Sequence, residues 1–583
     1  MNCKGFSFVK PRKTVEVTLP DGRTIRGPRN APIKDFFTLL EGEGLPPIVG
    51  AIVNDELREL TYPIKTDCSA RPVTMGEADG MRIYRRSLTM LLETAFHKLY
   101  PNAYLTIDHS VSSGGYFCQV LNRPPLTDAE LKELEATMRS MVEADLPLIR
   151  TEVPLHEAIQ YFVSINADDM VRLLKWRRKP YVTLYELDGF RDYHHGYMVP
   201  TTGYLKWFAL SQANGGFTLR FPRRHAPTQL LPLPSYSKLL EAFRQYGDWL
   251  ERLGIGNVGA LNDAIEANRA AEIILVSEAL HEQMVSNIAS MIVERQDQVR
   301  VILVAGPSSS GKTTFSKRLA IQLLARGLSP FPLEMDNYFV NREDTPKDDN
   351  GNYDFESVEA LKWQQLDTDL SNLIAGRRVQ LPRYDFISGK SQPGDIVQLS
   401  QNHIIILEGI HGLNPKLFQS VRENQIFRIY VSALTQLNLD RHNRVSTTDT
   451  RLIRRIVRDS RERGYTAQQT IRIWESVRRG EKRYIFPYQN NADVMFNSAL
   501  VYELSALKPF AEPLLRQVPH GTPEYIEAKR LLAFLEWFLP IDSNLIPDNS
   551  ILREFIGDSI LKEFKLWKND LKDPPKGTNE NHV

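Results

Sequence analysis

The chain has 583 residues, 42% hydrophobic and 25% charged, a globular balance too long for one ordinary core, so three or four domains are expected. Its 72 basic and 71 acidic residues leave a net charge of +1, which excludes bulk polyelectrolyte attraction to nucleic acid or membrane but not local patches. Cys3, Cys68 and Cys118 are scattered without CxxC spacing, which argues against a disulfide framework and a zinc site. The absence of an 18-residue apolar run or a leader pattern leads to the expectation of a cytoplasmic protein with no membrane partner.

Residues 14–80 alternate short β-like runs (TVEVTLP, TIRG, IVGAIV) with turn signals such as PDG and PRN, which reads as a small β-rich module. From 81 to 225, helical patterns (SLTMLLETAFHKLY, LTDAELKELEATMRSMVEADL) mix with strand-like runs (YLTIDHSV, GYFCQVL, GFTLRFP), as in an α+β domain. Three prolines in APTQLLPLPS mark a boundary near 226–235, and helical stretches at 236–253 and 259–295 read as a connector closing near 297. From 298 to 505 apolar strands alternate with helices, the pattern of a parallel α/β sheet. A helical extension fills 506–583, and its last residues, KDPPKGTNENHV, are expected to be disordered. No internal repeat is present.

The chemistry concentrates after residue 299. VRVILVA is almost wholly apolar and β-branched, as a strand buried on both faces of a parallel sheet must be. Gly306, Pro307, Ser308, Ser309, Ser310, Gly311, Lys312 and Thr313 then fill GxxxxGK[ST], followed by Thr314 and a helix stopped by Gly327. Such a loop turns backbone N–H groups around phosphate oxygens, sends Lys312 to the terminal phosphates and faces the Thr313 hydroxyl toward Mg2+. The bland alternative is a merely Gly/Ser-rich turn, against which the strand and helix on either side argue.

Asp336 follows the apolar strand FPLEM, where it could accept a proton from a substrate hydroxyl or simply open the turn DNYF. Glu408 ends HIIILE and could serve Mg2+. In TTDTRLIRRIVRDSRERG, Arg451, Arg454, Arg455 and Arg458 fall at i, i+3, i+4 and i+7, so they share one helical face. Four like charges repel unless an anion joins them, which suggests an arginine lid over transferring phosphates, or alternatively an RNA-binding stripe continuing to Lys482 and Arg483.

With these pieces in place, 298–505 resembles the uridine kinase and phosphoribulokinase family of P-loop kinases. The likeness rests on GPSSSGKTTF, LEMDNYF, NYDFESVEAL, LPRYDFISGK, IIILEGIHGL, DTRLIRRIVRDSRERG and NADVMFNS, in that order. The resemblance implies an ATP- and Mg2+-dependent kinase acting on a sugar hydroxyl. In it Asp336, Lys312, Arg455 and Arg458 are catalytic, Gly306, Ser308–Ser310 and Gly311–Thr314 hold the nucleotide, Thr313 and Glu408 serve Mg2+, and Asp354, Tyr384 and Arg451 meet the acceptor. The family's base-contacting His is replaced by Gly389, and a Tyr three residues after the catalytic Asp by Phe339.

The front half resembles the first two domains of threonyl-tRNA synthetase: VTLPDGRTIRGPRNAPIKDFF its ubiquitin-like (TGS, β-grasp) module over 1–80, and GMRIYRRSLTMLLETAFHKLYPNAYLTI and HHGYMVPTTGYLKWFALSQANGGF its editing domain over 81–225. The editing pairs HxxxH and CxxxH become Arg86 with Met90 and His194 with Met198, so the fold is expected without the hydrolytic chemistry. His195 is expected to be an ordinary polar surface residue. The overall expectation is an α/β P-loop kinase sheet preceded by a β-grasp module and an α+β editing-like domain. It phosphorylates a nucleoside or related alcohol, with RNA at the N-terminal modules and a second copy of the chain as further candidate partners. The competing class is an RNA-binding or regulatory protein that uses its nucleotide site as a switch.

Overall fold

The computed structural model describes residues 10, 12–111, 114–232, 247, 249, 250, 252–348, 351, 353–435 and 437–564. Most of the helix expected at 236–253, the expected disordered tail and Cys3 lie outside them.

The first module is a five-stranded sheet in the order Thr24–Pro28, Thr14–Thr18, Cys68–Thr74, Ile48–Val53, Glu56–Arg58. Thr14–Thr18 pairs in parallel with Cys68–Thr74 and every other pairing is antiparallel, which with the helix Ile33–Phe37 makes a β-grasp fold. The period-2 pattern buries Val15 and Val17 and leaves Thr14 and Thr18 exposed, so one face packs on Ile33, Phe36 and Phe37.

In the second module the 22-residue helix Ala78–Leu99 and the helix Asp128–Glu143 pack against a four-stranded antiparallel sheet. Asp128–Glu143 starts where Thr127 and Glu130 form a capping box, which satisfies backbone donors the first turn would otherwise leave unpaired. A three-stranded sheet (Ile149–Pro154, Tyr181–Leu187, Phe190–Tyr193) carries the helices Leu155–Ser164 and Asp168–Lys175 toward the C-terminal half.

That half is built on a fully parallel sheet in the order Ser329–Glu334, His403–Glu408, Val301–Ala305, Ile426–Ser432, Val494–Asn497. All five residues of Val301–Ala305 are buried, so the phosphate loop leaves the centre of the sheet at its C-terminal edge, where such sheets open a crevice. The stretches read as connector and C-terminal extension are one layer here: Ile273 and Ile288 of Ala270–Val293, Leu531 and Phe538 share a core with Phe315 and Phe496 of the parallel sheet and its helices. Phe162, Met170 and Leu173 of the second module join the same core. Among the described residues no helix is long and apolar enough to cross a membrane.

A polar plug reinforces this junction. The segment 437–446, between Ile426–Ser432 and the helix Thr447–Glu462, reaches into the second module. Arg441 pairs with Asp169 (Nε–Oδ1 2.9 Å), the Asn443 amide donates to the Tyr193 carbonyl at 2.9 Å, and His442 Nδ1 lies 2.5 Å from Asp192 and 3.7 Å from Glu93. Burial disfavours the His442 cation, but Glu93, Asp192 and Asp440 outweigh it and push its pKa up to about 10. A raised folded-state pKa contributes stability that is complete below the ordinary 6.5 and is lost as pH rises through about 10. His442→Gln is therefore expected to destabilise the protein at neutral pH and to flatten the decline of the urea midpoint across that window. An unchanged decline in the variant would show that His442 does not carry this charge.

Candidate active site

The loop is shaped by residues that the backbone itself demands. A Cβ on Gly306 would collide with the Val431 carbonyl oxygen, and one on Gly311 would lie 2.6 Å from Ile551 Cγ2. Ser309 (φ 58°) and Gly311 (φ 84°) adopt left-handed conformations, the kind of turn that aims successive N–H groups into one concavity. The helix Lys312–Leu324 begins there, adding its positive end. Lys312 Nζ donates to the Pro307 carbonyl at 3.3 Å and stands 3.9 Å from Glu408 Oε1, while the Thr313 hydroxyl donates to Glu408 Oε2 at 3.1 Å.

Carboxylates crowd the facing wall. Asp336, in the turn after Ser329–Glu334, projects exposed into the cleft, although the protein around it desolvates it and raises its pKa against the pull of Lys312, Arg463 and Arg458. Burial pushes Glu408 up to about 7; Lys312 draws it down, and Asp336 and Glu334 push it up. Adjacent hard oxygens on Thr313 and Glu408 amid mutually repelling carboxylates fit a divalent cation such as Mg2+.

The arginine face divides into two parts. Arg454 is fully buried, with Nε 2.7 Å from Glu503 and Nη2 donating to the Ser498 carbonyl, so it holds the helix in place. Arg451, expected at the acceptor, is 1% exposed, pairs with Glu481 and donates from Nε to the Ser308 carbonyl at 2.9 Å. Its Nε and Nη2 are held by the protein, which makes it a brace for the loop. Arg455 donates to Ser308 Oγ at 2.9 Å, and Arg455, Arg458 and Arg463 gather around the buried Asp459 beside the cleft.

On the acceptor side, Asp354 accepts from the Glu356 N–H at 3.2 Å and from the Tyr484 hydroxyl at 3.4 Å. Tyr384 is buried in an edge-on cluster with Phe339 (5.6 Å) and Phe386 (5.1 Å). Gly389 has φ 69°, and a Cβ there would come within 2.9 Å of Arg342, whose guanidinium donates to the Phe386 carbonyl.

Four further residues belong to the site. Glu356, pushed up to about 7 by burial and Glu481 and drawn down by Arg455 and Lys312, follows Asp354 with no sequence signal of its own. Glu481 accepts from the Ser308 N–H at 3.2 Å. Arg463 lies one turn beyond the arginine face. Glu554, from the C-terminal helix Arg553–Ile556, accepts from the Thr314 N–H at 3.1 Å, so the amide expected to face a nucleotide is engaged by the protein.

In the second module, Met90 and Met198 are core residues, Arg86 donates to the Tyr197 carbonyl, and His194 Nε2 lies 3.0 Å from Glu93. His195 departs from the surface expectation: it is half-buried, its Nδ1 lies 3.2 Å from the Tyr193 hydroxyl, and burial lowers its pKa to about 3.

Residues 301–505 match the model of the Phosphoribulokinase / Uridine kinase family. The N-terminal region is similar to threonine–tRNA ligases; that of Symbiobacterium thermophilum is 30% identical over 240 residues, 41% of this chain and 36% of that protein. The chain spans about a third of the length of the curated relatives it matches. Among solved structures, a possible uridine kinase from Bacillus stearothermophilus aligns at 20% identity and TM-score 0.24, covering 36% of this chain and all of that one. D-glycerate 3-kinase from Cryptococcus neoformans aligns at 15% identity and TM-score 0.24, covering 34% and 87%.

The split of the arginine face predicts distinct losses. Arg454→Met strands Glu503 in the core and is expected to cost about 3–5 kcal/mol of stability, whereas Arg458→Met leaves Asp459 with Arg455 and Arg463 and should cost under about 1 kcal/mol. Denaturant unfolding of both variants checks this, and equal losses would contradict the division.

Proposed function

We propose that the chain is a kinase that transfers the γ-phosphoryl group of ATP, with Mg2+, to the primary hydroxyl of a nucleoside. The observation that carries this reading is Asp336: an exposed carboxylate at the same sheet edge as the phosphate loop, under the influence of Lys312, Arg458 and Arg463. In the proposed step Asp336 accepts the proton as the acceptor O–H breaks, the oxygen bonds to the γ-phosphorus, and ADP leaves. Lys312, Arg455 and Arg458 meet the charge that spreads over the phosphoryl oxygens. Thr313 and Glu408 would hold Mg2+, which supplies positive charge against the phosphates.

The rival is a regulatory or RNA-binding protein whose nucleotide site is a switch. A switch needs a positioned water, whereas a kinase needs a base beside a pocket for an alcohol. The aromatic wall of Phe339, Tyr384 and Phe386 near Asp354 supports the second.

Asp336→Asn is expected to lower turnover by about 10²–10⁴ while leaving ATP affinity nearly unchanged, since only the proton acceptor is removed. Full turnover in that variant would remove Asp336 as the base. Glu554→Gln weakens the hold on the Thr314 amide, so the Kd for ATP, measured by calorimetry, should fall.

Asp354 can accept from a vicinal diol, and a deoxy analogue would leave its lone pairs unpaired, a loss of about 1–3 kcal/mol or one to two decades in kcat/KM. Ribonucleosides should therefore be preferred over 2′-deoxy ones. With Gly389 offering no side-chain contact, discrimination among bases should be shallow. Steady-state kinetics across a ribo and deoxy panel test both, and equal use of the two sugars would dismiss the role of Asp354.

A further inference from the structure

The chain is electrically balanced as a whole, but one cavity is not. Between the second module and the helices Thr447–Glu462 and Ala467–Tyr484 lies a space of about 460 Å³ lined by ten arginines and lysines and only two carboxylates, Asp449 and Glu475. Both carboxylates are already engaged: Asp449 holds Arg530 through two bonds of 2.8 Å, and Glu475 holds Arg224 at 2.5 Å. Among the described residues, no carboxylate lies within ion-pair distance of Arg85, Arg86, Arg223 or Arg444, all four of which line the space.

Their polar contacts are few. Arg86 donates to the Tyr197 carbonyl, Arg444 Nε to the Asp108 carbonyl at 3.3 Å, and Arg85 Nε is buried without a hydrogen-bond partner. Burial, followed by repulsion from Arg85 and Arg478, lowers Arg223 to about 10, and burial with Arg224 and Arg478 lowers Lys482 to about 8. Like charges gathered out of bulk water destabilise a fold unless an anion joins them. Tyr116, Trp474 and Phe486 line the same space, where Arg444, Arg451 and Arg478 lie over their rings at 5.1, 5.5 and 5.5 Å, and the volume falls in the range of small-ligand pockets.

We propose that this cavity is a second ligand site, which binds a nucleotide-sized polyphosphate anion. It is separate from the catalytic cleft, since no phosphate-loop residue lines it, nor do Asp336, Asp354 or Tyr384. The inference stands independently of the kinase reading.

The wall also reaches the phosphate loop. Arg451 and Arg478 line the cavity and both pair with Glu481, Arg478 at 2.8 Å, and Glu481 accepts from the Ser308 N–H. An anion that draws Arg478 away from Glu481 changes what holds the loop, so occupancy of the cavity is coupled to the affinity of the loop.

The test is calorimetric titration of the full chain with inorganic tripolyphosphate and with ATP. Lys312→Ala silences the loop, and this variant is expected to keep one equivalent of anion bound, with an affinity that falls as salt rises. Adding Arg85→Gln and Arg223→Gln should weaken that binding at least tenfold while raising the Tm of the ligand-free protein, because a repulsive pair has been removed. A merely structural role for these arginines would lower the Tm instead. A short single-stranded RNA provides the second arm: RNA that competes with tripolyphosphate would mean that the polyphosphate chemistry is presented by a nucleic-acid end. Binding of RNA alone, no anion bound in the Lys312→Ala protein, or undiminished binding after the arginine substitutions would overturn the proposal. An unsubstituted chain that binds ATP in the cavity but not at the loop would count against the kinase reading and leave this one standing.

Discussion

A guanidinium taken out of water must find an anion, and the C-terminal half is arranged around that requirement. The helix Thr447–Glu462 buries Arg451 and Arg454 almost completely, and each is answered by a glutamate from another helix, Glu481 and Glu503. The same arginines grip the phosphate loop from behind, Arg451 at the Ser308 carbonyl and Arg454 through Ser498, whose hydroxyl donates to the Ser310 carbonyl at 2.5 Å. Loop shape and helix position are therefore fixed by one set of ion pairs. Arg455, Arg458 and Arg463 share the single buried Asp459, which leaves a surplus of positive charge facing the cleft.

The parts of the chain that look peripheral close this arrangement. The C-terminal segment sets Ile551 against Gly311 and Glu554 on the Thr314 amide. The helices at 258–293 complete the core under the phosphate-loop helix. The 437–446 segment ties the arginine helix to the second module through Arg441, His442 and Asn443. The front half thus sits against the wall of the phosphate-loop site, and a charge-rich cavity occupies the seam.

What was legible in the sequence is what local physics dictates. Gly306 and Gly311 stand where a Cβ collides or φ is positive, the VILVA strand is apolar because both its faces are covered, and Asp336 is legible as the residue beyond a strand end. The i, i+3, i+4, i+7 spacing placed the four arginines on one face but could not say which of them the protein itself neutralises. That depends on Glu481 and Glu503, 30 and 49 residues away. The connector and the C-terminal extension read as separate because they are far apart in the chain, and only the shared core joins them. His442 and His195 carried no signal: a histidine in a polar stretch is unremarkable until carboxylates or a buried tyrosine surround it.

The most direct test of the central claim is product formation by the purified full chain supplied with ATP, Mg2+ and each common ribonucleoside in turn, followed by 31P NMR. The account predicts a nucleoside monophosphate esterified at the primary hydroxyl, formed in step with ADP. Turnover of ATP to ADP and free phosphate with no phosphorylated nucleoside, at a rate indifferent to the added alcohol, would contradict it and favour a nucleotide switch.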